Sequence, residues 1–162
     1  MMDRRVFLTA TALALVLGPV SPGLADETAQ GVVEAYLAAW NAHDSAKAAG
    51  YFTDDVVYLD ASVGTPIQGR EAAKTGVIDN FLNAVPDAVW QMKGAPVLQD
   101  GRVAFEWTFS GTNTGAWADG TAATGKPFTL TGVSLFSIEG GKIVSQSDYY
   151  DALGFYKQLG LM

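Results

Sequence analysis

Val103, Phe105, Trp107 and Phe109 alternate with smaller or polar residues, and this run belongs to a larger change of rhythm along the chain. A period of two places every second side chain on one face of a strand, so these four large apolar groups share one surface. Upstream, the apolar residues keep helical time. Val32, Val33, Tyr36, Leu37 and Trp40 fall on one face of a helix over residues 27–41. The change comes at Val89, after which every segment but the last reads as strand. Helices and one short strand, followed by a run of antiparallel strands, make an α+β fold. A strongly curved antiparallel sheet wrapped against the N-terminal helices would form a cone with an apolar interior.

The intervening elements follow from local chemistry. Asp44 or Ser45 can cap a second short helix that ends near Phe52. Val56, Val57, Tyr58 and Leu59 form a β-rich run that ends on Asp60. Gly64, Pro66 and Gly69 mark a loop, and a third helix over 70–85 turns Val77, Ile78, Phe81 and Leu82 inward before Pro86 stops it. Strands are expected over 89–98, 103–114, 128–138 and 142–150. Pro96 pushes the end of the first toward a sheet edge or a bulge. Residues 99–102 and Gly140-Gly141 are hairpin turns. A polar loop over 115–126 holds Trp117, and Leu153, Phe155, Tyr156 and Leu159 close the chain as a short apolar helix.

Residues 1–25 read as a cleaved export signal rather than as fold. Arg4 and Arg5 precede an apolar run over 7–17, then Gly18, Pro19 and Pro22 break it and Gly23-Leu24-Ala25 offers small residues for cleavage. The run is too short to span a bilayer as a mature helix. The paired arginines before Val6-Phe7-Leu8 resemble a twin-arginine signal, which implies a periplasmic or secreted protein. Residues 26–162 are then one domain.

Charge and composition exclude several partners. The chain has 10 basic and 17 acidic residues, and losing the signal leaves 8 against 16. Such a surface suits neither nucleic acid nor an anionic membrane. The sequence contains no cysteine and one histidine, His43, which argues against a disulfide, a thiolate nucleophile and a dedicated metal site. His43 lies in a helix-ending turn and reads as a cap or an exposed residue. No cofactor is expected. Asp148, late in a strand between Ser147 and two tyrosines, is placed to serve as a catalytic carboxyl in an apolar cavity.

Ala39-Trp40-Asn41-Ala42-His43-Asp44, Phe52-Thr53-Asp54-Asp55-Val56-Val57-Tyr58 and Gly69-Arg70-Glu71-Ala72 occur in that order, followed by Gly111-Thr112-Asn113-Thr114-Gly115 and Thr124-Gly125-Lys126-Pro127. Gly141-Lys142-Ile143 through Asp148 and then Gln158-Leu159-Gly160 complete the series. Order and spacing together resemble the SnoaL-like polyketide cyclase branch of the nuclear transport factor 2-like superfamily, over essentially the whole of residues 26–162. The resemblance implies a cone-shaped pocket, in a homodimer, for a small apolar or carbonyl-containing molecule. It also implies that Asp148 acts as general acid/base in an intramolecular aldol closure without a cofactor. The cyclases carry a histidine on the preceding strand, where this chain has Ser134, and many relatives have Gly-Thr-His-Thr-Gly where it has Asn113.

Each candidate has a plainer alternative. Asp148 is a proton shuttle or an acid held by backbone at a strand end. Asp60, on the strand that borders the cavity mouth in the superfamily, either shares a proton with Asp148 or introduces the loop over 61–64. Trp40, Tyr58, Trp90 and Trp107 line the cavity or are plain core. Trp117 is a lid or a dimer contact. Asn113 and Ser134 donate to a ligand carbonyl, or face solvent. Three functions follow: an acid/base enzyme of isomerase, cyclase or hydrolase type, a non-catalytic binder of a small apolar ligand, or a dimeric interaction domain.

Overall fold

The computed structural model describes residues 22–162, with side chains from Thr28 onward. Arg4, Arg5 and the apolar run over 7–17 lie outside the described residues. Helix α1 (Pro22–Asn41) starts five residues ahead of the expected 27, and α2 (Ser45–Ala49) is capped by Asp44, whose carboxylate accepts from the Lys47 N–H at 2.9 Å. Between them, His43 adopts a left-handed φ of 55°. Its N–H bonds the Trp40 carbonyl and that of Asp44 bonds Ala39, closing α1 with a Schellman turn.

The strands are β1 (Phe52–Asp60), β2 (Ile67–Gln68), β3 (Val89–Gln99), β4 (Arg102–Thr112), β5 (Pro127–Glu139) and β6 (Lys142–Tyr150). They form one open sheet in the order β2-β1-β6-β5-β4-β3. Two hairpins build its larger part through turns whose central residues both have positive φ, Asp100-Gly101 and Gly140-Gly141. Pro96 sits where the β3 register shifts between Lys93 and Val97, on an edge strand, as its missing N–H requires.

One seam departs from the expected antiparallel pattern. β1 runs parallel to β6, with Asp60 opposite Asp148. No short turn joins these strands, so no hairpin dictates their direction. β1 also begins at Phe52 rather than Val56, which cuts α2 short, and the two-residue β2 was not anticipated in the loop after Pro66.

The third helical stretch is three pieces. α3 (Arg70–Ala73) passes into a π-helical turn (Lys74–Asp79) and then α4 (Asn80–Ala84). Two features favour the wide turn. The Thr75 hydroxyl donates to the Glu71 carbonyl at 2.8 Å and competes with the helix ladder, and Gly76 supplies no helix propensity. Lys74 and Asp79, five residues apart, close an ion pair at 2.7 Å across it. Helix α5 (Ala152–Leu159) is capped by Asp151 and ends on Gly160 at φ 70°.

The core lies between α1, the π-helical turn and the concave face of the sheet. Tyr36 is its hub, fully buried, with ring centroids of Phe52, Trp90, Phe136 and Trp40 between 5.4 and 6.4 Å away. Most of these pairs meet edge to face, the arrangement ring quadrupoles prefer.

Candidate active site

Register assembles the site. Phe105, Ser134, Asp148 and Asp60 are lateral neighbours on β4, β5, β6 and β1. The next row brings Phe136, Gln146 and Tyr58 side by side. Because side chains alternate, Gln146, Asp148 and Tyr150 leave β6 on the same, inner face.

Asp148 is only 7% exposed, and three neutral groups hold its carboxyl. The Ser134 hydroxyl donates to Oδ1 at 2.5 Å, the Tyr58 hydroxyl donates to Oδ2, and the Gln146 amide donates to Oδ2 at 3.0 Å. Ser134 in turn accepts from the Trp107 indole N–H at 2.8 Å, so that hydroxyl is spent on fixing the acid. Trp107 reaches it by lying across Gly132, where any Cβ would overlap its ring. Burial pushes the Asp148 pKa up to about 6, and the three hydrogen bonds only moderate the rise. Burial, followed by the charge of Asp148, raises the Tyr58 hydroxyl, which stays a donor.

The carboxyl faces a cavity of about 50 Å³, room for a few waters or a small organic group. Seven of its eleven lining side chains are aromatic. Trp40, Trp90, Trp107 and Phe109 come from α1 and the sheet, and Val77 and Phe81 from the π-helical turn and α4. The polar side is Tyr58, Asp148, Asp60 and Tyr150. Asp60 Oδ2 accepts from the Tyr150 hydroxyl at 2.9 Å and Asp60 Oδ1 from the Ser62 N–H at 2.8 Å. Burial pushes the Tyr150 hydroxyl up. The indole N–H of Trp90 is buried and has no hydrogen-bond partner, whereas that of Trp40 is buried against the Tyr36 hydroxyl.

Six of the nine residues singled out from sequence therefore border one cavity: Asp148, Asp60, Trp40, Tyr58, Trp90 and Trp107. Ser134 sits one step behind it, on Asp148. Two lie apart. Asn113 is fully buried, donates to the carbonyls of Ala84 at 3.0 Å and Gly115 at 2.8 Å, and accepts from the Thr124 N–H at 2.9 Å. It pins the loop over 113–126 and has no donor left for a ligand, which corrects the role expected of it. Trp117 packs against Phe81 and Phe155 at 5.2 and 5.8 Å, a support for a lining ring rather than a lining ring itself. His43 holds the Ala88 carbonyl at 2.9 Å. Among the described residues no three His, Asp or Glu side chains converge as a metal site would need.

Sequence reasoning missed Tyr150, Gln146 and Asn41. The first two share the period-two face of Asp148, a signal present in the sequence. Asn41 grips Trp90 at both ends of its peptide unit, donating to its carbonyl at 2.8 Å and accepting from its N–H at 2.7 Å, and nothing local announces that clamp.

The model of the family described as SnoaL-like polyketide cyclase matches residues 30–159. Among solved structures, a candidate SnoaL-like polyketide cyclase from Jannaschia sp. CCS1 is similar with a TM-score of 0.74 and 12% identity, covering 92% of this chain and 99% of its own. A protein of ketosteroid isomerase-like fold from Catenulispora acidiphila, in complex with trimethylamine, has a TM-score of 0.67 and 23% identity, covering 80% and 92%. TerC, co-crystallised with polyporic acid, has a TM-score of 0.65 and 15% identity, covering 82% and 98%. No curated protein matches the chain significantly.

Proposed function

This chain belongs to the SnoaL-like polyketide cyclase family, and from that premise we propose that its cavity performs cofactor-free acid/base chemistry on a small carbonyl compound, with Asp148 as the proton carrier. The fold hosts many functions, so the site has to carry the argument. The observation that carries it is one carboxyl group, buried among rings beside a cavity, whose pKa is raised to about 6. Such a group is largely ionised at neutral pH and still close enough to its pKa to return a proton.

The Asp148 carboxylate takes the proton from the carbon next to a carbonyl, and the electron pair moves onto the carbonyl oxygen. The indole N–H of Trp90, on a ring that borders the cavity and without a hydrogen-bond partner, is the donor we assign to that oxygen. Returning the proton at another carbon gives isomerisation. Attack of the enolate carbon on a second carbonyl of the same molecule, with the proton delivered to the new alkoxide, gives cyclisation. Asp60 and Tyr150 orient the substrate, and Ser134, Gln146 and Tyr58 hold the acid in place.

Solvent-deuterium exchange at the α-carbon of small aryl ketones, followed by NMR, tests this reading. Exchange should rise with pH through about 6, because the base is the ionised form. Asp148→Asn should slow it by roughly a hundredfold or more. Equal exchange by the variant would end the assignment of Asp148.

A second reading is a non-catalytic carrier in the same cavity. It is favoured by the absence of an imidazole at positions 113 and 134. The polyporic acid held by TerC supports an aromatic guest for this fold. We also propose export by the twin-arginine-like segment, to the periplasm or outside the cell, and a homodimer. Cell fractionation of the full chain with Arg4 and Arg5 changed to Lys tests the first.

A further inference from the structure

We infer that this cavity takes a ligand bearing a compact organic cation, a tertiary or quaternary alkylammonium group, seated against its rings and beside its two carboxylates. The inference deepens the reading of the cavity as a ligand site served by Asp148 and rests on it.

The lining supplies both halves of such a site. Aromatic rings carry negatively charged faces, which attract an alkylated ammonium, and seven of the described lining side chains are aromatic. Trp107 stands between Trp90 and Tyr150, with centroids 6.1 and 6.2 Å away, so rings bound the space from several directions. Asp148 and Asp60 border the same space, and among the described residues no Lys, Arg or His does. The hydrogen-bond partners of Asp148 and Asp60 described above are all neutral. The ion pairs seen among the described residues lie elsewhere, Arg70 with Asp54 and Lys74 with Asp79. A buried carboxylate without a cationic neighbour is electrostatically expensive, and a guest cation supplies the missing charge. A neutral apolar guest would satisfy the rings alone. A small, strongly hydrated cation would lose its water against an apolar wall. An alkylated ammonium satisfies rings and carboxylates together.

The titratable groups facing Asp148 are Tyr36 from α1, Tyr58 and Asp60 from β1, and Tyr150 on β6. β4 and β5 bring Trp107 and Ser134, and the π-helical turn and α4 bring Val77 and Phe81. The guest and the proton therefore compete for Asp148. Cation affinity should be level above about pH 7 and weaken about tenfold per unit well below the Asp148 pKa of about 6.

Calorimetric titration compares choline with 3,3-dimethylbutan-1-ol, its uncharged carbon isostere. Choline should bind roughly tenfold tighter at pH 7.5. The preference should shrink at pH 5 and fall to roughly threefold or less in Asp148→Asn, where Asp60 and the rings remain. If that variant does not fold, Asp60→Asn should reduce the preference by roughly threefold. Equal binding of the two compounds, no binding of choline, or a preference unchanged in both variants overturns the inference. Failure here is separable from failure of the catalytic reading. α-Proton exchange on neutral ketones that persists without cation preference removes only the cation. Cation preference without exchange on any ketone, amino ketones included, removes only the catalysis.

Discussion

At Asp148 two physical effects oppose each other, and their balance can be read in the stability of the protein. Hydrogen bonds from Ser134, Tyr58 and Gln146 favour the anion, while burial favours the neutral acid and wins, lifting the pKa to about 6. The unfolded chain titrates this group near 3.9, so the native state binds the extra proton between the two values. By linkage, the stabilising contribution is fully present below about pH 4 and lost as pH rises through 6. Asparagine carries no charge at any pH. Relative to the wild type, Asp148→Asn should therefore gain about 2 kcal/mol in urea unfolding free energy between pH 4.5 and 7.5. A difference that does not change with pH would mean the carboxyl is satisfied structurally and not poised for proton transfer. The sequence showed this acid among aromatic residues, and its alternation with Gln146 and Tyr150 was there to be used. What it could not show is that Tyr58, ninety positions away, would be its donor. Asn113 illustrates the converse: a polar residue at the end of a strand looks the same in sequence whether its amide meets a ligand or three backbone groups.

Among the elements, the π-helical turn over Lys74–Asp79 departs furthest from local expectation, because an apolar period of helical type does not reveal a change in turn width. The wider turn delivers Val77 to the cavity, and α4 follows with Phe81. Gly76 lies in it with an ordinary backbone, and a Cβ there would meet only the Ile67 side chain, at a van der Waals distance of 3.5 Å. Gly76→Ala should accordingly stabilise the protein by about 0.5–1 kcal/mol, through better helix propensity and a less free unfolded chain. Urea unfolding checks this. A loss of stability would show that the wide turn depends on glycine itself. The hairpins were legible because Asp100-Gly101 and Gly140-Gly141 encode their turns within four residues. The parallel seam between β1 and β6 was not, since its contacts join the two ends of the domain and no short sequence signal specifies direction.

On the scale of the whole molecule, the sheet has two unlike faces. Its concave face closes over the cavity, whereas Val97, Ala104, Leu135 and Ser147 form a continuous row on the other. Val97 and Leu135 are 71% and 46% exposed, with Val133 and Tyr149 nearby on the same face. Apolar side chains at this density are what a second copy of the chain would cover, in keeping with the proposed homodimer. Charge opposes that pairing: the full chain carries a net −7, and two copies repel at low ionic strength. Apolar burial must outweigh the repulsion, so dimerisation should strengthen as salt rises from 0.05 to 0.5 M. Leu135→Glu places a like charge at the centre of the row on both copies and should shift the equilibrium to monomer by at least tenfold, with the thermal midpoint of the monomer little changed because the position is exposed. Sedimentation equilibrium decides between the possibilities. A wild-type protein that stays monomeric at 0.1 mM in high salt would leave this face without a second copy and return the exposed row to ordinary surface, while the cavity on the concave side, built entirely within one chain, would keep its chemistry.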